Sequence, residues 1–424
     1  MNESDRHPLH INPKKCVGCV HCLAPCPTKA IRVKNGKAYI INELCIDCGE
    51  CMRFCPQDAI DSHTTSFSDL NSFKYKVAIP ATVLYGQFEN ATLPSEILFA
   101  LRRVGFDSVY EISTICELNS AAIETFLNNH PKPRPFIAST CPVVVRLIQR
   151  RFPTLCDLIV PFEPPREIAA KILRGNLPRI LKMSPSDIGI IHITPCPAKM
   201  VSINYPVSME KSYLDGAISI RDIYKPVVQA LQQSKDDTIM CHLFPETIIS
   251  GIGLGTALSG GEIQGLKHHR TVAVSGIQDT IRVLNQVELS LLKDVDLLEC
   301  LVCPDGCVGG PLAVENRFLA KSRILRLASQ LGDRSVVDRA DISQLYNKDF
   351  LSFHYSIKPI RSTPLDSNPV RAIQKAKKRS NLIKRLPGKD CGACGAPDCR
   401  TLADDIIRGL AILDDCPFMG KEKK

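Results

Sequence analysis

Cys303 and Cys307 are separated by three residues in Glu299-Cys300-Leu301-Val302-Cys303-Pro304-Asp305-Gly306-Cys307-Val308-Gly309-Gly310-Pro311. That spacing suits neither a zinc ribbon nor a ferredoxin loop. Both cysteines read naturally with two distant partners, Cys141 in Ala138-Ser139-Thr140-Cys141-Pro142 and Cys196 in Thr194-Pro195-Cys196-Pro197-Ala198-Lys199. Each Cys-Pro or Pro-Cys element follows an apolar run, such as residues 187–193, that reads as a buried strand. Strand ends deliver ligands to a common point. Four thiolates converging in this way could hold a metal cluster inside a large domain.

Two further cysteine patterns stand outside that set. Cys16-x2-Cys19-x2-Cys22-x3-Cys26-Pro27 recurs as Cys45-x2-Cys48-x2-Cys51-x3-Cys55-Pro56, an internal duplication whose tails also match, Ala30-Ile31 against Ala59-Ile60. The spacing is that of bacterial two-cluster ferredoxins, in which the fourth cysteine of each run ligates the other cluster. One cubane then takes Cys16, Cys19, Cys22 and Cys55, and the other Cys45, Cys48, Cys51 and Cys26. Near the C-terminus, Cys391, Cys394 and Cys399 form a tight loop, with Cys416 returning after a helical stretch expected over residues 401–413. This segment resembles the small iron–sulfur domain of Rnf-type electron-transfer subunits and corrinoid iron–sulfur proteins. Four thiolates alone do not exclude zinc there. Cys116, Cys156, Cys241 and Cys300 fit no set and read as small buried hydrophobes.

The elements that must position these residues follow from hydrophobic period. Residues 76–84 and 271–275 read as strands; residues 93–104, 143–151 and 167–174 read as helices. The alternation predicts an α/β domain with a largely parallel sheet over residues 75–357. A two-cluster module occupies residues 1–66, a basic linker 358–385 and a small helical cluster domain 386–424. The glycine-rich stretch 251–255 lacks the full nucleotide fingerprint and reads as a turn. At 424 residues the chain has room for two or three cores. Its net charge of +9 is concentrated in residues 371–389, without interleaved aromatics or a recognition-fold signature, so nucleic-acid binding is not expected. No apolar run approaches the ~20 residues of a membrane span. The polar start lacks a signal core, and the grouped thiols then point to a cytoplasmic protein.

The scattered set resembles the three signatures of [FeFe]-hydrogenases, T-S-C-C-P, M-P-C-x-x-K and E-x-M-A-C-x-x-G-C-x-x-G-G. The resemblance implies that Cys141, Cys196, Cys303 and Cys307 hold a [4Fe–4S] cubane, with Cys307 bridging to a diiron unit that carries CO, cyanide and a dithiolate amine. With the other sets, four [4Fe–4S] clusters are implied. Lys199 matches the lysine that bonds a cyanide, Pro195 the adjacent proline, and Ser139 lies in the first signature. H2 and protons, a redox or signalling protein and dedicated maturases are the implied partners.

The chain also departs from that pattern. Thr140 stands where the family has the cysteine that relays protons, and a hydroxyl is a far weaker acid than a thiol. Further along the proton route, Val160, Pro164-Pro165-Arg166 and Ser202 replace polar residues, and Thr194 and Leu301 replace pocket methionines. A kept ligand set in a substituted pocket is similar to the sensory branch, in which slow oxidation of H2 suffices as a signal. Two alternatives stay open. One is a metabolic hydrogenase with a proton route through Glu163 or Glu299. The other is a non-catalytic iron–sulfur assembly protein without the diiron unit, similar to nuclear prelamin A recognition factors.

Overall fold

The structure, a computed structural model, describes residues 7–89, 92–131, 135–234, 248–266, 268–360 and 364–419. Cys241 lies outside the described residues. Two compact units emerge: residues 1–63 together with 360–424, and residues 64–359.

In the first unit, β1 (Leu9–Ile11) pairs antiparallel with β4 (Ile60–Ser62), and β2 (Ile31–Lys34) with β3 (Lys37–Ile40). Asn35 and Gly36 join β2 to β3 with φ of 51° and 70°, the left-handed pair that a tight hairpin requires. Leu9, Leu23, Ala30, Ile31 and Ile60 form a core into which the cysteines are packed. The C-terminal segment adds two helices. Pro369–Arg385 is capped by Asn368, which accepts from the amides of Val370 and Arg371. Cys399–Ile407 is capped by Asp398. The second helix ends six residues before the expected Leu413, because Gly409 turns left-handed at φ 75° and stops it.

The second unit holds two parallel sheets. One has the order β6-β5-β8-β9, from β5 (Tyr75–Pro80), β6 (Ser108–Val109), β8 (Ile188–Thr194) and β9 (Gly216–Ser219). The other has the order β10-β11-β7, from β7 (Phe136–Ile137), β10 (Thr271–Ser275) and β11 (Leu297–Leu301). All seven residues of β8 are buried, as a central parallel strand covered on both faces must be. This is the expected α/β architecture with parallel sheets.

Two local expectations are corrected. The strand over 76–84 stops at Pro80, its last pairing being with Ile193, and Thr82–Gln87 coils into a 3-10 turn. Residues 251–255 form a short helix rather than a turn. Its start is fixed by Ser250, whose hydroxyl accepts from the Gly253 amide. Its glycines allow close approach: a Cβ at Gly253 would stand 1.7 Å from the Ser113 carbonyl oxygen.

Candidate metal centre

The three signature segments leave the carboxyl ends of β7, β8 and β11. Cys141 opens the helix Pro142–Arg151, and Cys196 opens the helix Pro197–Asn204. In both, proline takes the first helical position, where its missing N–H costs nothing. Between Cys303 and Cys307 the chain reverses through Asp305 and Gly306, at φ of 61° and 97°. A Cβ at Gly306 would lie 2.6 Å from the Ser259 amide nitrogen, so only glycine fits this approach.

The sulfurs of Cys141, Cys196 and Cys307 come close enough to oppose one another's ionisation. Burial pushes the Cys196 thiol up to about 11, with Lys199 pulling it back. Burial likewise raises Cys307, again against Lys199. Cys303 is half-buried on the same loop as Cys307. A buried thiol set facing a lysine loses its protons to a metal far more readily than to water, so the donors suit an iron cluster.

Of the four cysteines, Cys307 borders a cavity that is also lined by Lys199, Thr140, Arg166, His192, Glu262 and Glu299. His192 is held neutral by burial and by the nearby Lys199 and Arg166 charges. Its Nδ1 donates to the Ile79 carbonyl. Thr140 Oγ1 donates to Glu262 Oε1 at 2.5 Å, and Asn119 Nδ2 donates to the same oxygen at 3.2 Å. Glu299 accepts from the backbone amides of Gly260, Glu262 and Ile263. Burial raises the Glu262 carboxyl. Burial together with the charge of Glu262 pushes Glu299 up to about 8, the backbone bonds working against them.

Ser139 and Pro195 are placed differently. The Ser139 hydroxyl donates to the Phe162 carbonyl and borders a neighbouring cavity, with Glu163, Arg166 and Ser202. Pro195 abuts Gly310, whose Cβ would lie 2.7 Å from that of Pro195, and its carbonyl accepts from the Leu312 amide. Cys300, Cys116 and Cys156 are buried. Cys116 borders the main cavity, with its thiol raised by burial to about 12. Sequence reasoning missed Glu262 and its partner Asn119, and named Arg166 only as a replacement in the proton route rather than as a charge bordering the cavity. Glu262 and Asn119 belong to no spaced motif.

In the first unit, Cys16, Cys19, Cys22 and Cys55 border one cavity, and Cys26, Cys45, Cys48 and Cys51 another. The fourth cysteine of each run thus sits with the three of the other run. Burial raises Cys22 to about 11 and lifts Cys45 and Cys48 well above the ordinary range. Cys394 and Cys416 meet with Cys399 in a small core around Leu402 and Ala403, and Cys391 is exposed beside them.

Residues 74–240 match the family model for the iron only hydrogenase large subunit, C-terminal domain. The chain carries a hydrogenase-like domain. Residues 15–60 match a 4Fe-4S dicluster domain, and residues 386–418 a putative Fe-S cluster domain. Among curated proteins, the periplasmic [Fe] hydrogenase large subunit of Nitratidesulfovibrio vulgaris is 24% identical over 361 residues, 72% of this chain and 86% of that protein. The large subunit of the corrinoid/iron-sulfur protein of Moorella thermoacetica is 45% identical over 38 residues, 9% of this chain and 8% of that protein. A solved [FeFe]-hydrogenase variant from Chlamydomonas reinhardtii shares 17% identity, with a TM-score of 0.48 over 70% of this chain and 97% of that one. No helix among the described residues is long and apolar enough to cross a membrane. The domain matches and the thiolate sets thus agree on a domain similar to iron only hydrogenases over residues 74–240, flanked by segments that match iron–sulfur cluster domains.

Proposed function

We propose that this protein binds H2 and oxidises it slowly, as a sensory-type [FeFe]-hydrogenase, and passes the electrons to a redox or signalling partner. The observation that carries the reading is the cavity in which Cys307 and Lys199 face a threonine bonded to a buried glutamate. In this reading Cys141, Cys196, Cys303 and Cys307 hold a [4Fe–4S] cubane, and Cys307 anchors a diiron unit with CO, cyanide and dithiolate ligands. When bound, that unit supplies the metal that takes up and splits H2. The remaining twelve motif cysteines hold three further [4Fe–4S] clusters, and dedicated maturases install the diiron group.

The chain's own residues then divide the work. Lys199 and Arg166, both bordering the cavity, offset the charge of an anionic group there. A proton arriving at the Thr140 oxygen displaces the hydroxyl proton onto Glu262 Oε1, which that hydroxyl already contacts. Burial raises both the Glu262 and Glu299 carboxyls, Glu299 to about 8, which favours a proton held on this pair. A hydroxyl cannot itself ionise near neutral pH, so each hop needs both proton movements together. Slow turnover follows, which suits a sensor. Grouped thiols kept for metal ligation suit a reducing compartment such as the cytoplasm.

Infrared spectroscopy of the matured protein under H2 and under argon tests the reading. Bands of CO and cyanide that respond to H2 are expected. Absence of those bands, with the cubanes intact, would instead favour the assembly-protein alternative.

A further inference from the structure

The C-terminal segment and the two-cluster module share one compact unit, and their contact is built rather than incidental. Arg32 on β2 grips Asp405 on the helix Cys399–Ile407 with two bonds, Nε to Oδ2 at 2.5 Å and Nη2 to Oδ1 at 3.0 Å. Both side chains are only 8% exposed. The second face of the same guanidinium is fixed, Nη1 donating to the carbonyls of Lys29 and Ile31. Lys29 pairs with Asp398, the residue that caps the same helix. Removing one member of so buried a pair strands the other charge, so the contact has one bound geometry.

What this clamp brings together is the loop from Cys391 to Gly395 and the wall of one ferredoxin-type cavity. The Val33 amide donates to the Gly395 carbonyl at 2.9 Å. A Cβ at Gly395 would stand 1.9 Å from the Val33 carbonyl oxygen, and Gly395 adopts a φ of 81°. A Cβ at Gly392 would touch Leu23 at 3.4 Å and Val20 at 4.0 Å. Val20 and Val33 both border the cavity of Cys16, Cys19, Cys22 and Cys55; neither borders the cavity of Cys26, Cys45, Cys48 and Cys51. One layer of side chains therefore separates the C-terminal loop from one particular thiolate set, and glycine at two positions keeps that layer thin.

We propose that the C-terminal cluster exchanges electrons directly with the Cys16/Cys19/Cys22/Cys55 cluster, and that Arg32 and Asp405 are the positioning residues that hold the junction. The step is a one-electron transfer: one reduced cluster is oxidised, its neighbour is reduced, and no bond or proton moves. It rests on both thiolate sets holding iron–sulfur clusters, and it makes the exposed Cys391 end an outlet distinct from the other ferredoxin-type cluster.

The test uses the full chain loaded with iron and sulfide and reduced chemically with dithionite, read by low-temperature electron paramagnetic resonance. No H2 or diiron unit is involved, so failure of the hydrogenase reading leaves this test intact. Spin coupling that broadens the reduced spectrum and speeds its relaxation is expected, with part of it lost in Cys416→Ala. Arg32→Gln and Asp405→Asn should lose the same part while iron per chain is retained. The exchanged pair, Arg32→Asp with Asp405→Arg, should recover it. Should a clamp variant lose iron, the comparison of the native chain with Cys416→Ala still decides. An unchanged spectrum there beyond loss of one uncoupled signal overturns the proposal, as does coupling that survives the clamp variants.

Discussion

In the proposed reading, Thr140 sets the pace of proton transfer into the cavity through its hydrogen bond to Glu262. Thr140→Val keeps the shape and removes the hydroxyl, so H2-dependent dye reduction should fall by about 10²-fold, the scale of a lost proton-transfer group. Thr140→Cys should raise the rate only modestly, because Val160 and Ser202 remain as they are. Glu163 gives a separate test. Burial above all pushes its carboxyl from 4.5 to about 7, the hydrogen bond from Ser208 opposing. The folded protein thus holds this proton more tightly than the unfolded chain. Its stabilising contribution is complete below about pH 4.5 and is lost as pH rises to about 7, at most about 3 kcal/mol. Melting temperatures measured across that window should fall less steeply in Glu163→Gln. At this scale the cysteines were legible because ligation imposes spacing. Glu262 was not, since a carboxylate in a loop reaches Thr140 only through the tertiary fold.

At the scale of elements, a buried strand is written in sequence as an unbroken apolar run, which is why β8 could be read directly. Where such a run stops pairing depends on its neighbour. The expected strand over 76–84 continued in composition past Pro80, while its partner β8 ended at Thr194. The glycine-rich helix Gly251–Gly255 failed for a related reason. Local propensity argued for a turn, and close packing against Ser113 and the end of the helix Arg317–Leu331 overrode it. Gly253→Ala should therefore act by collision with backbone rather than by propensity. We expect a loss of about 1–3 kcal/mol in stability, measured as a lowered thermal midpoint, instead of the gain alanine gives in an open helix.

Across the molecule, three thiolate-rich regions accompany a fourth inside the hydrogenase-like domain. Iron analysis separates the readings of what they hold. Matured protein should contain about 18 irons per chain if the diiron unit is present, and about 16 with four cubanes alone. The exposure of the thiols differs sharply between regions. Cys45, Cys48 and Cys51 are buried, whereas Cys391 is exposed beside a half-buried Cys394. Of the motif cysteines, only Cys391 is exposed, so solvent meets the C-terminal set there before it meets the half-buried or buried thiols of the ferredoxin-type sets. Treated with a chelator or a mild oxidant, this protein should shed its iron from the outside inward. In the proposed wiring, the outlet at Cys391 would go first while the inner clusters kept their charge, a fuse rather than a failure of the engine.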